Sequence, residues 1–168
     1  MSTRKIVFLA MMIAASIVLS IVETALSSFL FAFPGIKLGL ANIATLVVIY
    51  TVGRKEGTIV AVIRIFLVGL LYTGLFSQSF WISLGGGLMA LLVMILLCKS
   101  KLSIFTVSVL ASLMHMVGQI AIVIFILNTT SLIYYLPYMM IMSVPTGIIT
   151  GYLSKRIITL FSEKIRSY

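Results

Sequence analysis

Charged residues are scarce in this sequence, and aspartate is absent altogether. Only 9% of the 168 residues are charged, and twelve of these are basic while three are acidic. About a quarter of the residues of an average soluble domain are charged. The mean hydropathy of +1.29 is correspondingly far above that of a water-soluble protein. This composition excludes a soluble globular domain and predicts an integral membrane protein.

Cysteine and histidine are equally rare, since Cys98 and His115 are the only ones. A single cysteine excludes an intrachain disulfide, a zinc cluster and a paired-cysteine redox site. The sequence has no second histidine with which His115 could share a metal ion. We therefore expect neither a metal site nor a cofactor.

Long apolar runs occupy nearly the whole chain. A helix that crosses a bilayer needs roughly 20 apolar residues, and these runs lack the alternating polar residues of a membrane barrel strand. The sequence predicts an all-α membrane protein with six transmembrane helices in a single domain, residues 1–168. The runs are 6–33, 40–53, 57–76, 79–98, 103–127 and 132–153.

Ten of the twelve basic residues stand in four groups that alternate with the apolar runs. With six crossings, both termini and all four groups lie on the cytoplasmic side of the plasma membrane, as the positive-inside rule requires. This topology explains the net charge of +9 better than a nucleic-acid partner, which we do not expect. The groups are Arg4-Lys5, Arg54-Lys55, Lys99 with Lys101, and Lys155, Arg156, Lys164 and Arg166.

A few polar residues fall within or beside the apolar runs, where they are costly unless they face a cavity or a partner. Glu23 lies about 25 Å along the first helix at 1.5 Å per residue, and Gln119 lies at a similar height in the fifth. His115 shares a helix face with Gln119 because the two are four residues apart. We expect these side chains to line an outward-facing pocket. The candidates for substrate binding are Glu23, Lys37, Asn42, Arg64, Phe80, His115 and Gln119.

Each candidate also has a simpler interpretation. Arg64 lies about 10 Å into the third helix, where it either snorkels to the interface or clamps a carboxylate or phosphate. Lys37 either captures an anion or anchors to lipid headgroups. Glu23 is either a structural partner of a cation or part of the pocket.

Pro34 is predicted to end the first helix.

Aromatic residues are expected at the external ends of the third and fourth helices. An interfacial belt is one interpretation, and a stacking surface over a planar ligand is the other. The residues are Tyr72, Phe76, Phe80 and Trp81.

Small residues recur every four positions in two helices, Ala10 and Ala14 in the first and Ser143, Gly147 and Gly151 in the last. This spacing places each set on one helix face, where two backbones approach closely. The partner of each face is either another helix of this chain or a second membrane protein.

Several motifs together resemble the Gx transporters, a family often labelled heptaprenyl diphosphate synthase component I. The resemblance spans nearly the whole chain, and its most specific stretch is the run from Pro34 to Asn42. It continues through Arg64, Phe76-Ser77, Ser83-Leu84-Gly85-Gly86 and His115-Met116-Val117-Gly118-Gln119.

Members of this family resemble the substrate-binding S components of energy-coupling factor (ECF) transporters. The resemblance implies a six-helix bundle that captures a nutrient outside, while a transmembrane T component and two ATPase subunits drive its release inside. Ala10 and Ala14 match the stripe by which S components dock on the T component. Flavin, isoprenoid or quinone precursors are the substrates that the resemblance implies, without a choice among them.

The absence of aspartate argues against catalysis of the kind that the synthase label names. Prenyl chain elongation holds Mg²⁺ and diphosphate through aspartate-rich motifs, and hard cations need carboxylate oxygens. A chain without aspartate supplies none, so we expect that it is not an enzyme. Two alternatives to the S component remain, a noncatalytic membrane accessory of a polyprenyl diphosphate synthase and a standalone small carrier.

Overall fold

The computed structural model describes residues 3–30 and 37–166, and the regular secondary structure of this part of the chain is all helical. The predicted end of the first helix at Pro34 lies outside the described residues. The helices are α1 (Thr3–Leu30), α2 (Asn42–Thr51), α3 (Arg54–Val68), a π-helical turn (Gly69–Thr73), α4 (Gln78–Leu97), α5 (Ile104–Leu127), a 3₁₀ helix (Thr130–Tyr135) and α6 (Leu136–Arg166).

Five segments of the described residues are long and apolar enough to cross a membrane, namely Thr3–Ser27, Arg54–Thr73, Gln78–Leu97, Ile104–Leu127 and Thr130–Phe161. The predicted all-α fold is therefore confirmed for the described residues, and the five apolar segments support a multi-pass membrane protein. The second apolar run differs from the prediction, because α2 has only 10 residues. At 1.5 Å per residue it covers about 15 Å, half of a bilayer's hydrocarbon core.

The short helix α2 lies in the centre of the bundle and packs against α1, α3 and α6. Its residues from Asn42 to Ile49 are all buried. A helix that is apolar on all sides has no polar face to present to water or headgroups, so it is stable only inside a larger assembly of helices. The central position of α2 fixes the location of Asn42, at its first residue.

Helices α4 and α5 pack most closely through glycine. A Cβ atom built on Gly118 would lie 2.5 Å from the carbonyl oxygen of Gly85, and one on Gly86 would lie 2.9 Å from Cε1 of His115. Such small residues let two transmembrane backbones approach each other. The contact brings the polar face of α5 against α4.

The two small-residue faces have different environments. Gly147 and Gly151 of α6 are buried against α5, where a Cβ on Gly147 would lie 2.8 Å from Cα of Val109. Ser108 donates a hydrogen bond of 2.8 Å to the carbonyl of Gly147. Ala10 and Ala14 are instead exposed on α1. The α6 face is thus an internal helix contact, while the α1 face has no helix of the described chain against it.

Between α3 and α4 the chain bends through irregular backbone. The π-helical turn is followed by Gly74 at φ 86° and Phe76 at φ 61°, and the latter is an uncommon conformation for a side chain with a Cβ. Ser77 then caps α4 by accepting a hydrogen bond from the backbone N–H of Phe80 at 3.2 Å. This bend directs Thr73 and Phe80 towards the interior of the bundle.

Candidate functional site

A polar cavity lies between α1, α3, α4, α5 and the connection that precedes α2. It encloses about 20 Å³, which is room for about one water molecule. Five of the seven predicted substrate-binding residues line it directly, and the other two, Asn42 and Gln119, hydrogen-bond to residues that do. The five are Glu23, Lys37, Arg64, Phe80 and His115.

Glu23 holds the connection that leads into α2. Its buried carboxylate accepts hydrogen bonds from three consecutive backbone N–H groups, those of Gly39, Leu40 at 3.0 Å and Ala41 at 3.4 Å. Gly39 adopts φ 95°, a conformation that favours glycine. The partner of Glu23 is therefore the backbone at the start of α2, where N–H groups and the helix dipole favour an anion.

Gln119 holds the same connection from the opposite side. Its Oε1 accepts a hydrogen bond from the backbone N–H of Lys37 at 3.2 Å, and its Nε2 lies 2.9 Å from Nε2 of His115. Because the amide Nε2 of Gln119 is a donor, Nε2 of His115 is the acceptor and the imidazole is neutral with its proton on Nδ1. The predicted shared face of α5 thus acts as one hydrogen-bonded unit.

The side chain of Arg64 is directed into the bundle. Its guanidinium is buried, lines the cavity and donates a hydrogen bond of 3.3 Å from Nη2 to Oδ1 of Asn42. The helix α3 begins at Arg54, three residues earlier than the apolar run indicated, so Arg64 lies about 15 Å along it rather than about 10 Å. The structure therefore excludes the snorkelling interpretation.

Two cations face the cavity without an ion pair. Within residues 3–30 and 37–166 the single salt bridge joins Lys5 to Glu56 at 2.5 Å, so neither Lys37 nor Arg64 contacts a carboxylate. Glu23 is the nearby acid, but its oxygens are directed to backbone N–H groups. Burial lowers the pKa of Lys37 to about 8, with Glu23 opposing and Arg64 reinforcing this change.

The predicted aromatic cluster divides into an inner and an outer part. Phe80 is buried and lines the cavity, with its ring centroid 5.8 Å from that of Phe76 and 5.5 Å from that of Trp81. Phe76, Trp81 and Tyr72 are exposed, as residues of an interfacial belt are. Phe80 alone of these four is placed to touch a ligand in the cavity.

Sequence reasoning missed several cavity residues of ordinary type. Ser20 of α1 lies one turn before Glu23, and Ser83 of α4 lies one turn after Phe80. Serine and threonine are common in membrane helices, where they hydrogen-bond their own backbone, as Ser83 does to the carbonyl of Ser79 at 2.7 Å. The one sequence signal for these serines is that each is three residues from a predicted site residue, and therefore on the same helix face.

Comparison with known proteins gives one match. The family model described as heptaprenyl diphosphate synthase component I matches residues 12–157. No curated protein and no solved structure matches the chain. Because the family match covers most of the chain and includes every residue of the cavity, the chain belongs to the heptaprenyl diphosphate synthase component I family.

Proposed function

We propose that the chain is the membrane-embedded S component of an ECF-type transporter, which captures a small nutrient or cofactor precursor that carries a carboxylate or phosphate. The observation that carries the proposal is the pair of buried cations, Lys37 and Arg64, in one cavity. Buried charges are normally paired, and the single nearby acid binds backbone N–H groups instead. An anionic group of a ligand would supply the missing partner.

The chemistry of the cavity suits such a group. Arg64 is a permanent charge with five donors, of which one contacts Asn42, and Lys37 adds three ammonium donors. The ring of Phe80 forms an apolar wall against which a planar or isoprenoid body could pack. The arrangement provides charged donors and an apolar wall, which suit binding, so capture rather than conversion is the proposed role.

The volume of the cavity bears on how a ligand enters. Sites for small organic molecules usually enclose about 300–1,000 Å³, whereas this cavity holds about 20 Å³. We infer that the described conformation is closed and that the bundle widens when a substrate binds. An S component that alternates between an occluded and an open form requires its cavity to widen in this way.

The proposed topology has six crossings, both termini in the cytoplasm and the cavity in the outer half of the plasma membrane. Backbone that is not helical is tolerated at membrane depth only where protein or a cavity surrounds it. Residues 37–41 meet this condition, since all of them except the half-buried Leu40 are buried and three of their backbone N–H groups bond to Glu23. The T component and two ATPase subunits are the proposed partners, since this chain has no phosphate-binding loop followed by Lys and Ser or Thr.

The decisive experiment is mass spectrometry of small molecules that copurify with the full chain in mild detergent, followed by titration calorimetry with the compound found. The expected compound carries a carboxylate or phosphate, and Lys37→Gln and Arg64→Gln should each weaken its binding by more than the roughly 0–1 kcal/mol of a surface ion pair. Lys101→Gln, an exposed basic residue outside the cavity, is the matched control. Undiminished binding in the Lys37→Gln/Arg64→Gln double variant would exclude the anionic ligand.

The family description favours a second candidate, a noncatalytic accessory of a polyprenyl diphosphate synthase. Pulldown with the full chain separates the two. Copurification of a T component and paired ATPases supports the transporter, whereas copurification of a soluble prenyl synthase supports the accessory role.

A further inference from the structure

A second groove lies at the other end of the bundle, between the start of α5 and the last third of α6. Its volume is about 370 Å³, which is large enough for a small organic group. It is remote from the polar cavity, with which it shares no lining residue. The lining residues are Phe105, Tyr152, Lys155, Arg156, Thr159 and Leu160.

Charge in this groove is of one sign. Lys155 and Arg156 supply two cations, and no acidic side chain is among the described residues that line it. A comparable space near the α2–α3 turn contains Glu56 beside its basic residues, and Glu56 there is paired with Lys5. Of these two spaces, the α5–α6 groove is therefore the one whose described lining carries positive charge alone.

The position of Lys155 is defined by an aromatic ring. Its Nζ lies 5.3 Å from the centroid of Phe105, within the range of a cation–π contact. The ammonium thus folds back over the groove instead of extending away from the protein. Arg156 is the next residue of α6, and Tyr152 and Thr159 also line the groove.

The height of the groove matches the headgroup layer. Helix α6 begins at Leu136, so Lys155 lies about 28 Å along it at 1.5 Å per residue, which is close to the hydrocarbon thickness of about 30 Å. Phe105 is in the first turn of α5, which runs in the opposite direction at the same end. Tyr152 and Leu160, both exposed, provide apolar surface next to the two cations.

We propose that this groove binds the phosphodiester headgroup of an anionic glycerophospholipid, with Lys155 and Arg156 on the phosphate and the rings of Phe105 and Tyr152 against the glycerol and upper acyl chain. Basic pockets between transmembrane helices are known to take such headgroups. The site requires only that α5 and α6 cross the bilayer, so it stands independently of the proposed transport role. A bound lipid would connect the C-terminal part of α6 to the start of α5.

Native mass spectrometry of the full chain in detergent, titrated with phosphatidylglycerol, tests the site. We expect saturable binding of one lipid, weaker binding of zwitterionic phosphatidylcholine, and binding about thirtyfold weaker in the Lys155→Gln/Arg156→Gln double variant. The Lys99→Gln/Lys101→Gln double variant removes an equal number of exposed charges at residues that do not line the groove and should bind like the natural chain. Lys155→Arg, which keeps the charge, should retain binding.

The outcomes separate the alternatives. Both altered residues are exposed, so the double variant should unfold at the same temperature as the natural chain, and this is measured in parallel. Equal loss of lipid in the Lys99→Gln/Lys101→Gln variant would show that binding depends on general surface charge and would overturn the site. Preference for farnesyl diphosphate over phosphatidylglycerol would also overturn it, because the groove would then recognise an isoprenoid diphosphate.

Discussion

Lys37 and Gln119 are 82 residues apart in the chain, yet the backbone N–H of Lys37 donates to Oε1 of Gln119 at 3.2 Å. Glu23 accepts from Gly39 and the two residues that follow it. The connection before α2 is thus held by a carboxylate from α1 and an amide from α5. These bonds place the side chain of Lys37 in the cavity.

We predict that Glu23→Gln destabilises the protein by about 1–3 kcal/mol, since hydrogen bonds to a charged group are worth about 1.5–3 kcal/mol each and a neutral amide retains part of them. Glu56→Gln is the matched control. It removes a partly exposed ion pair with Lys5, which is worth about 0–1 kcal/mol. Thermal unfolding in detergent compares the two variants, and equal shifts would show that the bonds of Glu23 contribute little.

The location of the site was predictable from the sequence, but its internal contacts were not. Polar residues in apolar runs cannot face lipid without cost, so Glu23, His115 and Gln119 were expected to converge, and they do. For Arg64 the sequence left two positions open, the interface and the cavity. The partner of Glu23 was not predictable, because it consists of backbone N–H groups, which every residue except proline has.

Helix lengths were predictable only where apolar residues and helical residues coincide. The run 132–153 ends just before the first basic residues, but α6 continues to Arg166 and its apolar span to Phe161, because lysine and arginine are compatible with a helix. The run 40–53 became the short α2, because the preceding residues bond to Glu23 and Gln119 rather than to their own helix. Hydropathy gives the boundaries of an apolar run. It does not show where tertiary hydrogen bonds shorten the helix within that run.

We predict that Gly118→Ala destabilises the bundle by about 1–3 kcal/mol, the usual cost of overpacking. The added Cβ would lie 2.5 Å from the carbonyl oxygen of Gly85, and backbone cannot move aside as a flexible side chain can. Ala121→Val adds bulk on the exposed face of the same helix and should leave stability unchanged. Apparent unfolding midpoints measure both, and a neutral Gly118→Ala would mean that α4 and α5 are less closely packed.

Ala14→Leu should leave unfolding and ligand binding unchanged, because Ala14 is exposed and remote from the cavity. We predict that it reduces copurification of the T component, since a larger side chain prevents close approach of a second helix. Ala121→Leu, which enlarges an exposed alanine on α5, is the control and should copurify normally. Normal capture by Ala14→Leu would remove this face as the docking surface.

The pKa of Lys37, lowered by burial to about 8, predicts how binding of an anionic ligand depends on pH. The ammonium is charged below this pKa and neutral above it, so the attraction to a carboxylate or phosphate is present at pH 7 and is lost as the pH rises through 8 towards 9. Calorimetric titrations at pH 7 and pH 9 with the identified ligand should therefore show weaker binding at the higher pH.

Two variants of Lys37 test whether this residue is the titrating group. Lys37→Arg keeps its charge at both pH values and should abolish the decline, while Lys37→Gln should bind weakly and equally at both. The phosphate or carboxylate of the ligand is already ionised at pH 7, so it adds no change of its own over this interval. A decline that persists in Lys37→Gln would assign the titration to another group and show that the ammonium of Lys37 does not contact the ligand.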